Sequence, residues 1–227
     1  NLCPQLRLST AKHFYLYANI NYNTSIKGMI NMKYDELLNK LTEENNGVLT
    51  TKDAVALGVT KPAFQRFVEK NGYERVAHGI YQNPDDWPDD FYVISRRSER
   101  AVFSHGTALY LHNMTDREPL KYAVTVPTGY NPTKLAADDI KVYTVKKELY
   151  GLGLTECETM YGNKVRVYDP ERTVVDIVRS RKGIEFQTFE DALKRYVRRK
   201  DKNVNKLIDY AEEFHVDKIL IDYMRVM

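Results

Sequence analysis

Gln65 and Arg66 are neighbouring side chains whose chemistry suits the reading of a nucleic-acid base. A glutamine amide and an arginine guanidinium can each form two hydrogen bonds with one base edge in the major groove of DNA. Lys61 and Lys70 flank this pair and are suited to phosphate contacts. Glu69 is unfavourable for DNA binding, because its carboxylate repels phosphate unless it accepts from a cytosine amino group or pairs with a neighbour.

These side chains lie on a predicted helix that begins after the capping residue Thr60 and ends at Gly72. Pro62 fits the first turn of a helix, where a missing N–H costs no hydrogen bond. Polar residues face away from the apolar stripe when the chain advances about 100° per residue. The apolar stripe of this helix consists of Phe64, Phe67 and Val68.

A shorter helix is predicted just before it. Thr50 and Asp53 have the spacing of a capping box, and Gly58 ends the helix in a tight turn. Two helices joined by a short turn that contains glycine form a helix-turn-helix. The segments 73–76 and 80–82, on either side of His78-Gly79, are typical of two short strands and would form the wing of a winged helix.

This arrangement predicts a surface that contacts double-stranded DNA. The alternative is a solvated helix used for protein contacts, since a fold alone does not determine a function. The predicted DNA-binding residues are Lys52, Thr60, Lys61, Gln65, Arg66, Lys70, Arg75, His78 and Tyr81.

The chain divides into four predicted regions. Residues 1–28 precede Met29 and are interpreted as a non-native leader or an extension. Residues 29–84 form the winged helix-turn-helix domain, and the acidic, Pro-rich residues 85–90 form a linker. Residues 91–227 alternate short strand-like runs with helices, which predicts an α+β domain with a small sheet and a helical C-terminus.

A second basic patch lies in the C-terminal region. Its members are also arranged as a helix face with the predicted i,i+4 ion pairs Glu190–Lys194 and Asp191–Arg195 and with cations at the helix C-terminus. A solvated face therefore explains them as well as a nucleic-acid contact does. The patch consists of Arg179, Arg181, Lys182, Lys194, Arg195, Arg198 and Arg199.

No catalytic, metal or cofactor motif is evident. His105 and His112 are seven residues apart, whereas helical metal ligands usually have i,i+4 spacing, so structural histidines are favoured. Cys157 has no Cys-x-x-Cys partner, and no phosphate loop or nucleophile elbow occurs. We therefore expect no enzyme activity, no cofactor and no metal.

Composition is ordinary for a globular protein, with 43% hydrophobic and 29% charged residues. The formal net charge is +3, and residues 1–28 account for all of it because they contain three basic and no acidic residues. The remaining chain is neutral, so net charge does not decide for or against nucleic-acid binding. One cysteine beyond that region suits a reducing cytosol, and no run of about 20 apolar residues could span a bilayer. We expect a cytoplasmic protein.

Three segments together resemble the AbiEi antitoxins of type IV toxin–antitoxin systems. The first runs from Gly58 to Val68 and continues at His78-Gly79-Ile80-Tyr81. The second, Ser104 to His112, is similar to a Ser-His-x-x-Ala-Leu segment, and the third, Asp169 to Asp176, is similar to a Pro-x-Arg-Thr-hydrophobic-Asp segment. His78 stands where many members have a basic residue before the glycine, which weakens its assignment to phosphate.

The resemblance implies a phage-defence (abortive infection) protein that represses its own promoter at inverted repeats. It also implies a C-terminal domain that counteracts a nucleotidyltransferase toxin without forming a stable complex with it. Two alternatives remain open: a pure protein-interaction module, and a C-terminal enzyme that acts on nucleic acid or on the toxin. The enzyme would use His105, His112, Asp116 or Asp176.

Overall fold

The computed structural model describes residues 31–136 and 139–225. The chain separates into two compact units, the N-terminal unit Asn1–Pro88 and the C-terminal unit Asp89–Met227. The division therefore falls inside the acidic, Pro-rich segment 85–90. The proposed leader, residues 1–28, lies outside the described residues.

The described part of the N-terminal unit contains three helices and three strands. Helix α1 covers residues 31–44, and strand β1, Val48–Thr50, follows it. Helices α2, Thr51–Ala56, and α3, Lys61–Lys70, come next, and β2, Glu74–Ala77, and β3, Ile80–Gln82, form the wing. These described strands pair antiparallel in the order β1-β3-β2, so β3 is the central strand.

Local chemistry explains the helix boundaries in this unit. The Thr50 hydroxyl accepts from the Asp53 amide at 3.0 Å, which is the N-cap half of the predicted capping box, and it donates to the Asp53 carboxylate at 2.7 Å. Thr60 occupies the predicted N-cap position of α3, although its side chain makes no cap hydrogen bond. Gly58 ends α2 with a φ of 82°, a conformation that glycine adopts without steric cost.

The hydrophobic core of the N-terminal unit is built around α3. Phe64, Phe67 and Val68, the predicted apolar stripe, are all buried. They pack with Leu38 of α1, Leu49 of β1 and Ala54 of α2. This burial leaves the opposite face of α3 exposed.

The C-terminal unit is a mixed α+β structure. Its described strands are β4, Val102–Phe103, β5, Ala123–Pro127, β6, Lys141–Val145, β7, Leu154–Glu158, and β8, Lys164–Tyr168. They form one sheet in the order β6-β5-β4-β8-β7. The β5–β6 and β4–β8 pairs are parallel, and the β4–β5 and β7–β8 pairs are antiparallel.

The described part of the C-terminal unit contains eight α-helices. They are α4, Asp90–Arg97, α5, His105–Leu111, α6, Thr133–Ala136, α7, Lys147–Tyr150, α8, Pro170–Arg179, α9, Phe186–Arg198, α10, Val204–Glu213, and α11, Asp217–Arg225. A 3₁₀ turn, Arg181–Gly183, follows α8. Every residue of α8 from Glu171 to Val178 is buried, so this helix forms the centre of the helical layer.

The α+β fold class predicted from the sequence is confirmed. Two strands differ from expectation. The sequence predicts a strand from Glu158 to Met160, whereas β7 covers Leu154–Glu158. The prediction missed this edge strand because it is mostly exposed and lacks the apolar alternation that indicates a strand. β1 was not predicted, since three residues are too few to show a period. In the described residues, no helix has the length and apolar character needed to cross a membrane.

Candidate nucleic-acid interface

The polar face of α3 is the exposed surface that could contact a nucleic acid. Lys61, Gln65, Arg66, Glu69 and Lys70 are all exposed, whereas the stripe on the other side of the helix is buried. The sequence predicted this division between the two faces. It places five charged or hydrogen-bonding side chains along about two and a half turns of one helix.

The Gln65 amide is held between a residue of its own helix and a residue of the wing. Its Nε2 donates to Glu69 Oε1 at 2.8 Å, and the Tyr81 hydroxyl donates to its Oε1 at 3.3 Å. Tyr81 lies on β3, so this contact joins the polar face of α3 to the wing. Glu69 therefore has a hydrogen-bonding neighbour, but the neutral amide of Gln65 leaves the negative charge of the carboxylate in place.

Arg66 and Lys70 both contact α1. Arg66 Nη2 donates to Asn31 Oδ1 at 2.8 Å, and Lys70 Nζ lies 3.2 Å from Asp35 Oδ2. All three charged side chains in these contacts are at least partly exposed, so their interactions are weak ones in water. A polyanion could replace either contact.

The wing carries a second exposed pair of cationic or titratable side chains. Arg75 Nη2 lies 3.0 Å from His78 Nδ1, and both residues are exposed. Gly79 completes the wing turn with a φ of 72°. The pairing of β2 with β3 shifts between Arg75 and Ala77, which indicates a bulge in the strand that presents Arg75.

The structure thus places the predicted DNA-binding residues in distinct groups. Gln65 and Tyr81 are in contact, Arg75 and His78 are in contact, and Arg66 and Lys70 contact α1. Lys52, Thr60 and Lys61 are exposed at or near the starts of α2 and α3. Helix N-termini and cations both favour phosphate.

His105 in the C-terminal unit is buried and held on both ring nitrogens. Its Nδ1 lies 3.0 Å from Ser104 Oγ and its Nε2 lies 3.0 Å from Ser180 Oγ. Its ring stacks on Tyr143 at 3.5 Å between centroids, and its φ is 51°. Burial, with smaller contributions from nearby cations, lowers the pKa of His105 to about 3, so the imidazole is neutral at pH 7.

The other side chains of the enzyme alternative have separate partners. His112 Nε2 lies 2.7 Å from the Tyr168 carbonyl oxygen, and burial lowers its pKa. The exposed Asp116 accepts from Arg195, which lowers the pKa of the carboxyl group, and the buried Asp176 pairs with Arg172. Among the described residues no cluster of three His, Cys, Asp or Glu residues could hold a metal.

The Asp169 to Asp176 segment connects α8 to its neighbours. The Asp169 carboxylate caps the helix by accepting from the Arg172 amide at 2.8 Å, and it also pairs with Lys206 at 2.8 Å. The Glu171 carboxylate accepts from the Tyr196 hydroxyl at 3.1 Å and from the Asn203 amide at 2.9 Å. These contacts attach the N-terminal end of α8 to α9 and α10.

The second basic patch is partly neutralised by carboxylates. Lys194 pairs with Glu190, Arg195 with Asp116 and Arg199 with Asp201. Arg179 lies 3.7 Å from Asp176, and Arg181 donates to the Val178 carbonyl oxygen. Lys182 and Arg198 are exposed. The predicted Glu190–Lys194 pair is present, whereas Arg195 pairs with Asp116 across 79 residues of chain.

Several contacting residues could not be identified from the sequence. The apolar spacing of residues 34–41 predicts a helix; Asn31 precedes this segment and Asp35 lies at its start. Nothing in the spacing of these two residues indicates a contact with α3. Tyr143 and Ser180 are 38 and 75 residues from His105, and only folding brings them to its ring. The contact of Glu69 could have been predicted, because its i,i+4 spacing from Gln65 permits a side-chain hydrogen bond.

Comparison with known proteins addresses the N-terminal unit directly. Residues 36–84 match the family model described as a transcriptional regulator, AbiEi antitoxin. The match covers most of α1, the helix-turn-helix and the wing. No curated protein matches this sequence.

Among solved structures, the chain is similar to the RV2827C protein from Mycobacterium tuberculosis. The two share 12% sequence identity with a TM-score of 0.55, over 83% of this chain and 75% of that chain. At this identity the likeness shows the fold alone.

Proposed function

We propose that this chain, whose residues 36–84 match the family model of an AbiEi antitoxin transcriptional regulator, represses its own promoter by binding inverted repeats. In this proposal α3 enters the major groove of DNA and the wing contacts the adjacent backbone. The C-terminal unit counteracts a nucleotidyltransferase toxin encoded with it, without a stable complex between the two. This role in phage defence operates in the cytoplasm and requires no catalysis by the chain.

The contact between Tyr81 and Gln65 carries the DNA-binding part of the proposal. The 3.3 Å hydrogen bond links β3 of the wing to the exposed face of α3. Base-reading groups on the helix and backbone-contacting groups on the wing therefore belong to one continuous surface of the N-terminal unit.

Charge on this surface supports binding to a polyanion. Lys52, Lys61, Arg66, Lys70 and Arg75 are exposed, and the Glu69 carboxylate among them accepts a hydrogen bond from Gln65. Cations of this kind contribute affinity that is independent of sequence and falls as salt rises. The amide and guanidinium groups supply the sequence-dependent part.

The organisation of the C-terminal unit supports a role other than catalysis. The Ser104 to His112 and Asp169 to Asp176 segments pack against each other through α5 and α8, and the structure assigns His105, His112, Asp116 and Asp176 to four separate contacts. These residues do not form a shared acid–base centre.

Binding to DNA from upstream of its own gene tests the regulatory proposal. A fluorescein-labelled duplex of that region should bind the full chain about a thousandfold more tightly than an unrelated duplex of equal length. A chain with both Gln65→Ala and Arg66→Ala should lose this preference and keep weak binding. Equal affinity for both duplexes by the unmodified chain would contradict the proposal.

Co-expression with the neighbouring toxin tests the antitoxin role separately. The full chain should restore growth, and the Gln65→Ala, Arg66→Ala variant should restore it equally when expressed from an unrelated promoter. A matched pull-down should recover no toxin with the chain. Failure of the unmodified chain to restore growth would contradict the antitoxin role and leave the DNA-binding role standing.

A further inference from the structure

We propose that Gln65 recognises adenine in each half of the operator, and that Glu69 and Tyr81 set this specificity by orienting its amide. The inference rests on the proposed binding of α3 in the major groove. It adds the identity of one base and assigns a function to Glu69, a residue whose charge otherwise opposes DNA contact. Gln65 is the residue that touches the base, and Glu69 and Tyr81 are positioning residues.

The two contacts determine which way the Gln65 amide faces. An ionised carboxylate can only accept hydrogen bonds, so the amide nitrogen must face Glu69, where Nε2 and Oε1 are 2.8 Å apart. Rotating the amide by 180° would place its oxygen against the carboxylate. The Tyr81 hydroxyl, at 3.3 Å, donates to the amide oxygen on the other side.

The oriented amide retains a defined hydrogen-bonding capacity. A glutamine amide has two N–H donors and an oxygen with two lone pairs. One donor is directed to Glu69 and one lone pair accepts from Tyr81. Within the contacts of the described residues, one donor and one acceptor remain for a ligand.

Adenine is the base whose major-groove edge matches this remaining pair. It presents the N7 acceptor beside the N6 amino donor, so both remaining groups of Gln65 are used. Guanine presents two acceptors, cytosine presents a donor, and thymine presents an acceptor and a methyl group. With one N–H directed to Glu69, Gln65 cannot donate twice to guanine.

Tyr81 is well anchored for this positioning role. Its ring packs edge-on against Phe64 with 5.3 Å between centroids, and Phe64 is buried in the core. Its backbone lies on the central strand β3, opposite Leu49 on one side and Arg75 on the other. The hydroxyl can therefore be removed by Tyr81→Phe while the ring and its packing are retained.

Selection from a randomised duplex library, using the full chain, tests the inference. The recovered duplexes should contain one position per half-site at which adenine is preferred about tenfold or more over each other base. Gln65→Ala should abolish the preference at that position alone. Replacing that adenine by 7-deazaadenine, which lacks N7, should weaken binding of the unmodified chain and leave binding of the Gln65→Ala variant unchanged.

The positioning residues have a distinct expected signature. Glu69→Ala should raise affinity for all duplexes, because a negative charge is removed, and should reduce the preference for adenine over guanine severalfold. Tyr81→Phe should reduce the adenine preference without changing the salt dependence. Lys61→Ala is the matched control on the same helix and should lower affinity for every duplex alike.

The outcomes distinguish a failure of this inference from a failure of the proposed DNA-binding function. Absence of any sequence-dependent DNA binding by the folded, unmodified chain would overturn both. Sequence-dependent binding in which no adenine preference depends on Gln65, or in which Glu69→Ala and Tyr81→Phe leave that preference unchanged, would overturn the inference alone. Circular dichroism of each variant establishes that it is folded.

Discussion

Arg172 and Asp176 form an ion pair inside the C-terminal unit, with Nε and Oδ2 3.2 Å apart and side chains only 1% and 2% exposed. The atoms are close without meeting hydrogen-bond geometry. Arg172 Nη1 donates instead to the carbonyl oxygens of Leu149 and Leu152. Its guanidinium also lies 4.2 Å from the ring centroids of Tyr168 and Phe214. Arg172 is thus a buried cation that depends on Asp176 for its counter-charge.

Asp176→Asn should destabilise the C-terminal unit by about 3–5 kcal/mol, because it leaves the buried Arg172 charge without compensation. Combining Asp176→Leu with Arg172→Met should cost less than either change alone, since both charges are then removed. Urea denaturation measures the free energy of unfolding, and hydrogen exchange of the α8 amides assigns the change to the C-terminal unit. An Asp176→Asn variant within about 1 kcal/mol of the unmodified chain would contradict this account.

Acid should destabilise the C-terminal unit partly through His105. Folding lowers the pKa of this residue from 6.5 to about 3, mainly by burial, so the unfolded chain binds the proton more readily between these values. The stability contributed by neutral His105 is present above pH 6.5 and is lost as the pH falls towards 3. The loss has a maximum slope of about 1.4 kcal/mol per pH unit.

His105→Asn is the matched variant for this measurement, because asparagine tolerates the positive φ of 51° at this position. Unfolding free energies between pH 7 and pH 4.5 should fall less steeply in the variant than in the unmodified chain. The difference between the two slopes isolates His105 from other titrating groups. Protonation of the His105 ring near pH 6, observed by NMR, would show that the assignment is wrong.

The interface could be predicted from the sequence where local chemistry controls the structure. The capping box of Thr50 and Asp53 and the glycines that end α2 and α3 predict the helix-turn-helix, and spacing predicts the buried Phe64 and Phe67. The same spacing separates the exposed face of α3 from its core face. The family resemblance stated from those residues is confirmed for residues 36–84.

Contacts between distant parts of the chain could not be predicted in this way. Arg66 and Asn31 are 35 residues apart, and Arg195 and Asp116 are 79 apart. Helical spacing predicted an Asp191–Arg195 pair, but folding presents Arg195 with Asp116 in a two-pronged contact. A local pattern shows which partners are within reach on one helix and contains no information about partners on other elements.

Two glycines with similar backbone angles should respond differently to alanine. Gly58 has a φ of 82° and its added Cβ would meet no atom, so Gly58→Ala should cost about 1 kcal/mol from the left-handed backbone alone. Gly153 has a φ of 75°, and an added Cβ would lie 2.6 Å from Arg172 Cβ. Gly153→Ala should therefore cost about 2–4 kcal/mol.

Hydrogen exchange of the α3 amides measures the stability of the N-terminal unit in the Gly58 variant, and exchange of the α8 amides measures that of the C-terminal unit in the Gly153 variant. Gly58→Asn is a control, since asparagine accepts the left-handed conformation better than alanine does. Equal costs for the two alanine variants would mean that the surroundings of Arg172 adjust to the added methyl group.

Salt dependence distinguishes the α3 surface from the second basic patch. In the patch, Lys194 and Arg195 already pair with Glu190 and Asp116, whereas Lys61 at the start of α3 is exposed in the predicted DNA-binding surface. A cation that neutralises a phosphate contributes about one to the slope of log affinity against log salt concentration. Lys61→Gln should therefore reduce that slope by about one for operator DNA.

The patch variants provide the contrasting measurement. Lys194→Gln combined with Arg195→Gln should leave the slope unchanged, and so should Lys182→Gln combined with Arg198→Gln, which tests the exposed members. Fluorescence anisotropy between about 50 and 200 mM salt gives each slope. If either patch variant reduced the slope as Lys61→Gln does, DNA contact would extend to the C-terminal unit, and its solvated-face interpretation would have to be abandoned.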